Sequence, residues 1–211
     1  MRGDDGILRC GWPAGHADYL AYHDREWGFP VRDDRRLFEK LCLEGFQSGL
    51  SWLTILRKRE NFRRAFADFE FERIARWRGP SVERLLRDAG IVRHRGKIES
   101  TLHNARCACE VADEFGSLAA FFWRFEPAPA ERPHRITPAA LAKLTESAAS
   151  RALSSELKAR GFRFVGPTTA YAFMQAMGLV NDHLERCEIR GEVAAARKRF
   201  RVPGRRASGR T

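Results

Sequence analysis

Residues 157–178 read LKARGFRFVGPTTAYAFMQAMG and contain the most informative turn in the chain. A helix that ends at Gly161 is followed by a second helix that begins around Pro167, where proline fits because the N–H group it lacks would have no partner there. Thr168 and Thr169 lie in the first turn of that helix, whose free N–H groups can hold a phosphate. The pattern predicts a helix-hairpin-helix element, although the turn alone is equally compatible with an ordinary αα-hairpin.

Helical patterns also dominate the chain before this hairpin. Asp34 is a candidate cap for the helix in DDRRLFEKLCLEGF, and Ser51 is a candidate cap for the helix in SWLTILRKRENFRRAF. A further helix, SVERLLRDAG, is predicted to end at Gly90. No segment shows several residues of clean β alternation. The sequence therefore predicts an all-α fold.

The composition indicates a globular protein with a polyanionic partner. The 211 residues include 38 Lys and Arg against 27 Asp and Glu, which gives a net charge of +11, and 44% are hydrophobic, enough for a core. Because phosphates bind cations and release counterions, nucleic acid is the simplest partner. A generic basic surface is the alternative, since much of the excess charge lies in the last residues, ARKRFRVPGRRASGRT.

We expect a single domain over residues 1–191, with the hairpin near residues 150–177, and a basic, flexible tail over residues 192–211. The residues after Gly191 are small, basic or helix-breaking, and such ends usually fray. The five cysteines are an odd number, which argues against a disulfide framework and for a reducing cytoplasm. There is no apolar run of transmembrane length and no signal peptide, so we expect a cytoplasmic monomer with no membrane partner.

Two cysteines and two histidines that could bind a metal ion lie near the two ends of the chain. His183 and Cys187 are one helical turn apart, and Cys10 and His23 lie near the N-terminus. Together they form a Cys₂His₂ set, which suits tetrahedral zinc and leaves no position for water, so the site would be structural. The alternative is that each histidine is a hydrogen-bonded core residue, because the two pairs are far more widely spaced than in a zinc finger.

Four stretches of the chain resemble one known family: RCGW, YLAYHDREWGFPVRDDRRLFEKLCLEGFQSGLSWLTILRKRENFRRAF, GIVRHRGKI and RGFRFVGPTTAYAFMQAMGLVNDH. This is the constitutive bacterial type I family of DNA-3-methyladenine glycosylases. The resemblance implies a helix-hairpin-helix DNA glycosylase fold. It also implies a structural zinc ion that joins the N- and C-terminal segments. The implied activity is hydrolytic removal of 3-methyladenine from double-stranded DNA, which leaves an abasic site.

The resemblance further implies roles for individual residues. The zinc ligands would be Cys10, His23, His183 and Cys187. Glu44 would be the catalytic carboxylate that recognises the base. The aromatic residues implied at the base pocket are Tyr22 and Trp52, with Trp12, Tyr19 and Trp27 nearby. The residues expected at the DNA are Gly49 and Leu50, beside the gap left in the duplex, and Gly161, Phe164, Gly166 and Thr168 of the hairpin.

The implied chemistry suits these residue types. Adenine methylated at N3 is cationic and leaves as a neutral base, so no general acid is needed. Trp52 and Tyr22 can stack on a positively charged ring, and Glu44 can accept hydrogen bonds from the adenine edge. Leu50 can fill the space that the base vacates. The alternatives are that the aromatic residues belong to the core and that Glu44 is solvated, although a carboxylate in the apolar stretch CLEGFQSGLSW is costly unless it is used.

Two further features refine this interpretation. Related helix-hairpin-helix glycosylases carry an essential Asp shortly after the second hairpin helix, where this chain has Asn181; we expect Asp182 to cap or orient groups near the zinc ligands instead. Relatives that also cut the strand place a lysine in that helix, and GPTTAYAFMQAMG has none, which predicts base removal without strand cleavage. Two alternatives remain, a zinc-stabilised DNA-binding module without catalysis and a glycosylase for a bulkier alkyl adduct.

Overall fold

Helices and their connections make up the part of the chain that the computed structural model describes, residues 1–133 and 135–204. No β-strand occurs within those two ranges, which confirms the all-α prediction. The α-helices are α1 (Ala17–Arg25), α2 (Asp34–Gln47), α3 (Trp52–Ala65), α4 (Phe71–Ile74), α5 (Gly79–Arg87), α6 (Arg95–Phe115), α7 (Leu118–Phe122), α8 (Pro138–Lys143), α9 (Ala148–Ala159), α10 (Pro167–Ala176) and α11 (Ile189–Arg199). Among these helices, none is both long and apolar enough to cross a membrane.

Side-chain caps define where the central helices begin. Ser51 caps α3 as predicted, by accepting a hydrogen bond from the N–H of Thr54. The cap of α2 is Asp33 rather than Asp34, because Asp33 is the residue with the extended backbone that an N-cap requires. Asp34 instead accepts hydrogen bonds from the first N–H groups of α7 and so joins the two helices. Helix α5 ends at Arg87, before the predicted end at Gly90.

Helix α2 is the central element of the core. It packs against α3, α6, α7 and α10, and Leu37, Phe38 and Leu41 on it are almost completely buried. Each such side chain contributes about 1.5–3 kcal/mol when it is fully removed from water. The helix therefore has a fixed position, and polar residues on it are held in fixed places.

The predicted hairpin joins α9 to α10 and is held by α6. Gly161 ends the first helix with φ +86°, a conformation that glycine adopts without strain. Asn104 of α6 accepts a hydrogen bond from the N–H of Arg163 (2.9 Å) and donates one to its carbonyl (3.0 Å). A Cβ atom at Gly45 of α2 would lie 3.3 Å from Cβ of Phe164, so the hairpin packs directly on α2.

The expectation of a flexible tail from residue 192 is wrong for its first half, because α11 continues to Arg199. Val193 is buried, and the Arg197 guanidinium forms an ion pair with Glu126. The ring of Phe200 packs against Trp123, with 4.5 Å between the ring centroids. These contacts with a distant part of the chain offset the cost of ordering small and basic residues. Residues 205–211 of the predicted tail lie outside the described residues.

Candidate active site and metal site

An aromatic cavity of about 300 Å³ lies between α1, α2, α3 and α10. All six side chains that the sequence places at the base pocket line it. The lining residues are Trp12, Tyr19, Tyr22, Trp27, Lys40, Glu44, Gln47, Trp52, Leu141, Leu144, Ala172 and Gln175. The structure therefore brings together residues that come from five separate segments of the sequence.

The aromatic side chains of the cavity pack against one another. Tyr19 and Tyr22 lie on one face of α1, and the Trp12 ring packs against Tyr19 with 4.8 Å between the centroids. Trp52 is the first residue of α3, and its centroid lies 5.4 Å from that of Tyr22. Such pairs stabilise each other beyond their burial, by about 0.5–1.5 kcal/mol each. The aromatic part of the cavity wall is therefore held together by contacts between its own rings.

Glu44 is buried in this cavity beside a cationic partner that was not predicted. The Glu44 side chain is 5% exposed, and one of its carboxylate oxygens lies 2.7 Å from Nζ of Lys40, one helical turn earlier on α2. The Lys40 ammonium donates a hydrogen bond to the Tyr22 hydroxyl (2.8 Å) and lies 3.2 Å from the centroid of the Trp52 ring. Burial lowers the pKa of Lys40 to about 8, although Glu44 opposes this shift.

The spacing of Lys40 and Glu44 was the signal that could have revealed this pair. An i,i+4 lysine and glutamate usually form an exposed pair on a helix. Here both lie among buried apolar residues of α2, where an unpaired charge would be costly. The pair is therefore buried and does not belong to a solvated helix face.

The four predicted metal ligands form a buried cluster beside the cavity. The potential ligand atoms of Cys10, His23, His183 and Cys187 all lie within 4.8 Å of one another. Nε2 of His23 lies 3.2 Å from Nδ1 of His183, and Sγ of Cys187 lies 3.7 Å from the first of these nitrogens and 3.5 Å from the second. With Zn–N near 2.0 Å and Zn–S near 2.3 Å, a tetrahedral ion places its ligand atoms roughly 3.3 Å apart for two nitrogens and roughly 3.6 Å for nitrogen and sulfur. The donor set therefore fits a tetrahedral metal ion.

Outer hydrogen bonds orient the two histidines toward the centre of the cluster. Nδ1 of His23 donates to the Asp24 carboxylate at 2.7 Å, and Asp24 in turn pairs with Arg9. Nε2 of His183 donates to the carbonyl of Trp27 at 2.9 Å. The nitrogens left with a free lone pair are the two that face each other, which is the arrangement that metal-binding histidines adopt.

Comparison with known proteins identifies the family. Residues 12–190 match the methyladenine glycosylase family. The chain belongs to this family. It is 47% identical over 180 residues to the DNA-3-methyladenine glycosylase 1 of Escherichia coli strain K12, which covers 85% of this chain and 95% of that protein. The DNA-3-methyladenine glycosylase of Haemophilus influenzae is 43% identical and covers 85% of this chain and 96% of its own.

Solved structures of this glycosylase family share the fold as well as the sequence. The 3-methyladenine DNA glycosylase I of Staphylococcus aureus, described for its recognition of 3-methyladenine, superposes with a TM-score of 0.80 at 35% identity. The match covers 87% of this chain and 97% of that structure. The helical architecture described above is therefore that of the methyladenine glycosylases.

Two of the residues expected at the DNA are exposed apolar side chains. Leu50 and Phe164 are two of the three large hydrophobic side chains that are exposed in the described ranges, at 42% and 40%. Lys97, at the start of α6, donates hydrogen bonds to the carbonyls of Phe46 and Ser48 and so fixes the loop before Leu50. Gly49 in that loop has φ +81°, which lets the chain reverse direction.

The hairpin of this glycosylase leaves backbone donors free at its tip. Pro167 is the first residue of α10, as predicted, and the capping residue Gly166 contributes no side chain. Within the described part of the chain, the N–H groups of Gly166, Thr168 and Thr169 have no hydrogen-bond acceptor. Free donors at a helix start attract anions.

The expectation that Asp182 orients groups near the metal cluster is wrong. The buried Asp182 carboxylate accepts hydrogen bonds from the Tyr171 hydroxyl (2.6 Å) and from Gln175 (2.9 Å), both on α10. Asn181 takes the expected role instead, because its side-chain oxygen accepts the N–H of His183 at 3.3 Å. The one-residue difference matters because adjacent side chains in this loop point to different neighbours.

Proposed function

We propose that this protein is a base-excision DNA glycosylase that hydrolyses the glycosidic bond of 3-methyladenine in double-stranded DNA. The single observation that carries the proposal is the buried carboxylate of Glu44 in a cavity walled by aromatic rings. A carboxylate is costly in such a place unless a cation is paired with it, and that cation is Lys40 in the free protein and would be the damaged base in the complex. The relatives named for this activity, at 43–47% identity, support the same conclusion.

In the proposed reaction, the damaged nucleotide rotates out of the duplex and its base enters the aromatic cavity. The cationic ring stacks on Trp52 beside Tyr22, and Glu44 accepts hydrogen bonds from the adenine edge. The bond between C1′ and N9 then breaks, and its electron pair neutralises the base. Water adds to C1′ and releases a proton, which leaves an abasic site. Because the leaving base is neutral, Glu44 has to hold and align the base rather than protonate it.

We infer that the Cys₂His₂ cluster holds one structural Zn²⁺. Cys10, His23, His183 and Cys187 supply two sulfur and two nitrogen donors, and they are fully enclosed. Four protein ligands leave no position for a water molecule, so the ion would contribute stability and take no part in hydrolysis. It would join Cys10 and helix α1 to the segment before α11.

The exposed loop and the hairpin are proposed to hold the duplex. Free N–H groups at Gly166 and Thr168, beside Gly161 and Phe164, would bind backbone phosphates without regard to sequence. Gly49 lets the loop turn so that Leu50 can enter the gap in the base stack. Because both surfaces and the cavity belong to one chain, the protein would act as a monomer.

Replacing Leu50 by Ala is expected to slow base release from duplex DNA by roughly tenfold, because the cost of unstacking, a few kcal/mol, is no longer offset by the wedge. Release from a single-stranded oligonucleotide should stay within about twofold of the wild-type rate, since no gap has to be filled. Single-turnover release from both substrates measures the two effects. An equal loss on both strands would place Leu50 outside the wedge.

The activity itself is tested by incubating the protein with methylated duplex DNA. We expect abasic sites to accumulate without strand breaks and without a borohydride-trapped protein–DNA adduct. The second hairpin helix, α10, contains no lysine that could form a Schiff base. Binding to DNA without any release of base would instead support a DNA-binding module without catalysis.

A further inference from the structure

The three groups proposed to receive the cationic base are already engaged by a cation of the protein itself. The Lys40 ammonium lies on the Trp52 ring, against the Glu44 carboxylate and against the Tyr22 hydroxyl. We propose that Lys40 is a resident cation that occupies the base site, yields it to a cationic purine and returns to displace the neutral product. This proposal rests on the proposed glycosylase function.

The geometry makes the two occupants mutually exclusive. Nζ of Lys40 lies 3.2 Å from the centroid of the Trp52 ring. A stacked purine needs about 3.5–4.0 Å between its own carbon atoms and those of the indole. The ammonium therefore fills the space directly above the ring that a base would take. Lys40 also occupies one side of the Glu44 carboxylate. An adenine edge can donate hydrogen bonds to that side only after the lysine has moved.

Lys40 also borders a second, much smaller cavity next to the first. Its volume is about 20 Å³, which is room for one water-sized group such as the amine of Lys40. The charged groups that face Lys40 across the two cavities are Glu44, Glu26 and Arg59, with Arg36, Glu39 and Arg63 also lining the second cavity. Glu26 is paired with Arg59, and Glu39 is paired with Arg63, so the second cavity offers no free carboxylate to a protonated lysine.

Withdrawal is therefore favoured when Lys40 loses its proton. Burial lowers the pKa of Lys40 to about 8, and Arg59 lowers it further while Glu44 opposes the shift. Entry of a cationic base then replaces one positive charge beside Glu44 by another, and the proton of Lys40 passes to solvent. A neutral adenine brings no charge, so Glu44 would lose its partner without compensation. Lys40 would thus act as a positioning residue that favours cationic over neutral bases.

The same exchange predicts how the product leaves. Once the glycosidic bond has broken, 3-methyladenine is neutral and no longer matches Glu44. The Lys40 ammonium then recovers its contact with the carboxylate and competes with the base for the cavity. At pH 7, about nine-tenths of a lysine with a pKa of about 8 is protonated, so only about one-tenth of the free protein is ready to bind the neutral base.

The test uses binding of free 3-methyladenine to the full chain, measured by equilibrium dialysis at pH 7 and pH 9. Lys40→Gln keeps a hydrogen-bond donor for Glu44 without the charge, and Lys40→Met removes both. Lys58→Met on α3 is the matched control, because Lys58 contacts the carbonyls of Ala89 and Gly90 and lies outside the cavity. Single-turnover release by wild-type protein in the same preparation tests the proposed function separately.

We expect Lys40→Gln to bind the free base about tenfold more tightly than wild type at pH 7, and Lys58→Met to match wild type. Wild-type affinity should rise by about the same factor between pH 7 and pH 9, and that of Lys40→Gln should stay constant. Burial raises the pKa of both Tyr19 and Tyr22, so neither tyrosine accounts for such a rise. Weaker or unchanged binding by a folded Lys40→Gln protein, or a parallel pH profile, would overturn the proposal even if wild-type protein releases 3-methyladenine normally.

Discussion

Glu44→Gln is expected to release 3-methyladenine about ten- to a hundredfold more slowly than wild type while it folds and binds metal normally. The amide keeps the size of the side chain but loses the negative charge that complements a cationic base. Its NH₂ group can also face the adenine amino group, which sets donor against donor in a buried site. Losing one such interaction costs about 1–3 kcal/mol. The fraction of base held in the cavity falls accordingly, and the observed rate falls with it.

Single-turnover release from methylated duplex measures this effect, with circular dichroism to confirm the fold. Glu60→Gln is the matched control, because Glu60 lies on α3 outside the cavity, is 67% exposed and pairs with Arg63. The control should retain the wild-type rate. A folded Glu44→Gln protein with the wild-type rate and wild-type discrimination against adenine would remove Glu44 from the active site and leave it as a structural carboxylate.

Cys187→Ala is expected to lose most of its zinc and to unfold at a markedly lower temperature. Wild-type protein should contain about one zinc ion per chain. Binding of structural zinc contributes directly to folding, since the site does not exist in the unfolded chain. Removal of an outer hydrogen-bond partner lowers metal affinity by roughly 10- to 100-fold. Removal of a ligand should lower the zinc affinity by more than that. Asp24→Asn, which weakens the partner of His23, should therefore give a smaller effect of that size.

Metal analysis and thermal unfolding of the same samples separate these outcomes. Cys109→Ala is the control, because Cys109 is half-buried in α6 and lies outside the cluster. It should keep one zinc ion and change the unfolding temperature little. Stoichiometric zinc in both Cys10→Ala and Cys187→Ala would show that the cluster is not the metal site.

Local signals predicted the hairpin, whereas the resemblance to a known family predicted the cluster. Gly161 and Pro167 act within a few residues of their own positions, so their effect on the chain can be deduced without the fold. Cys10 and Cys187 are distant in sequence, and among five cysteines and six histidines the set of four was assigned through the resemblance to a known family. Their spacing alone left hydrogen-bonded core histidines as an alternative, and the fold brings the four donors together.

Features that depend on packing between distant segments were missed. Helix α11 is stabilised by pairing of Arg197 with Glu126 and by contact of Phe200 with Trp123, neither of which composition reveals. Lys40 resembles an ordinary helix lysine until α1 and α3 cover it. Its role in the cavity follows from burial, which the i,i+4 spacing to Glu44 alone does not show.

Identification of the bases released from one methylated duplex shows whether the cavity selects 3-methyladenine. Such DNA contains both 3-methyladenine and 7-methylguanine, and both are cationic, so charge alone does not distinguish them. A cavity that uses Glu44 to accept hydrogen bonds should reject guanine, whose O6 would set acceptor against acceptor. We expect 3-methyladenine to appear in the supernatant while 7-methylguanine stays in the DNA. Release of both bases at similar rates, or of neither, would contradict this expectation.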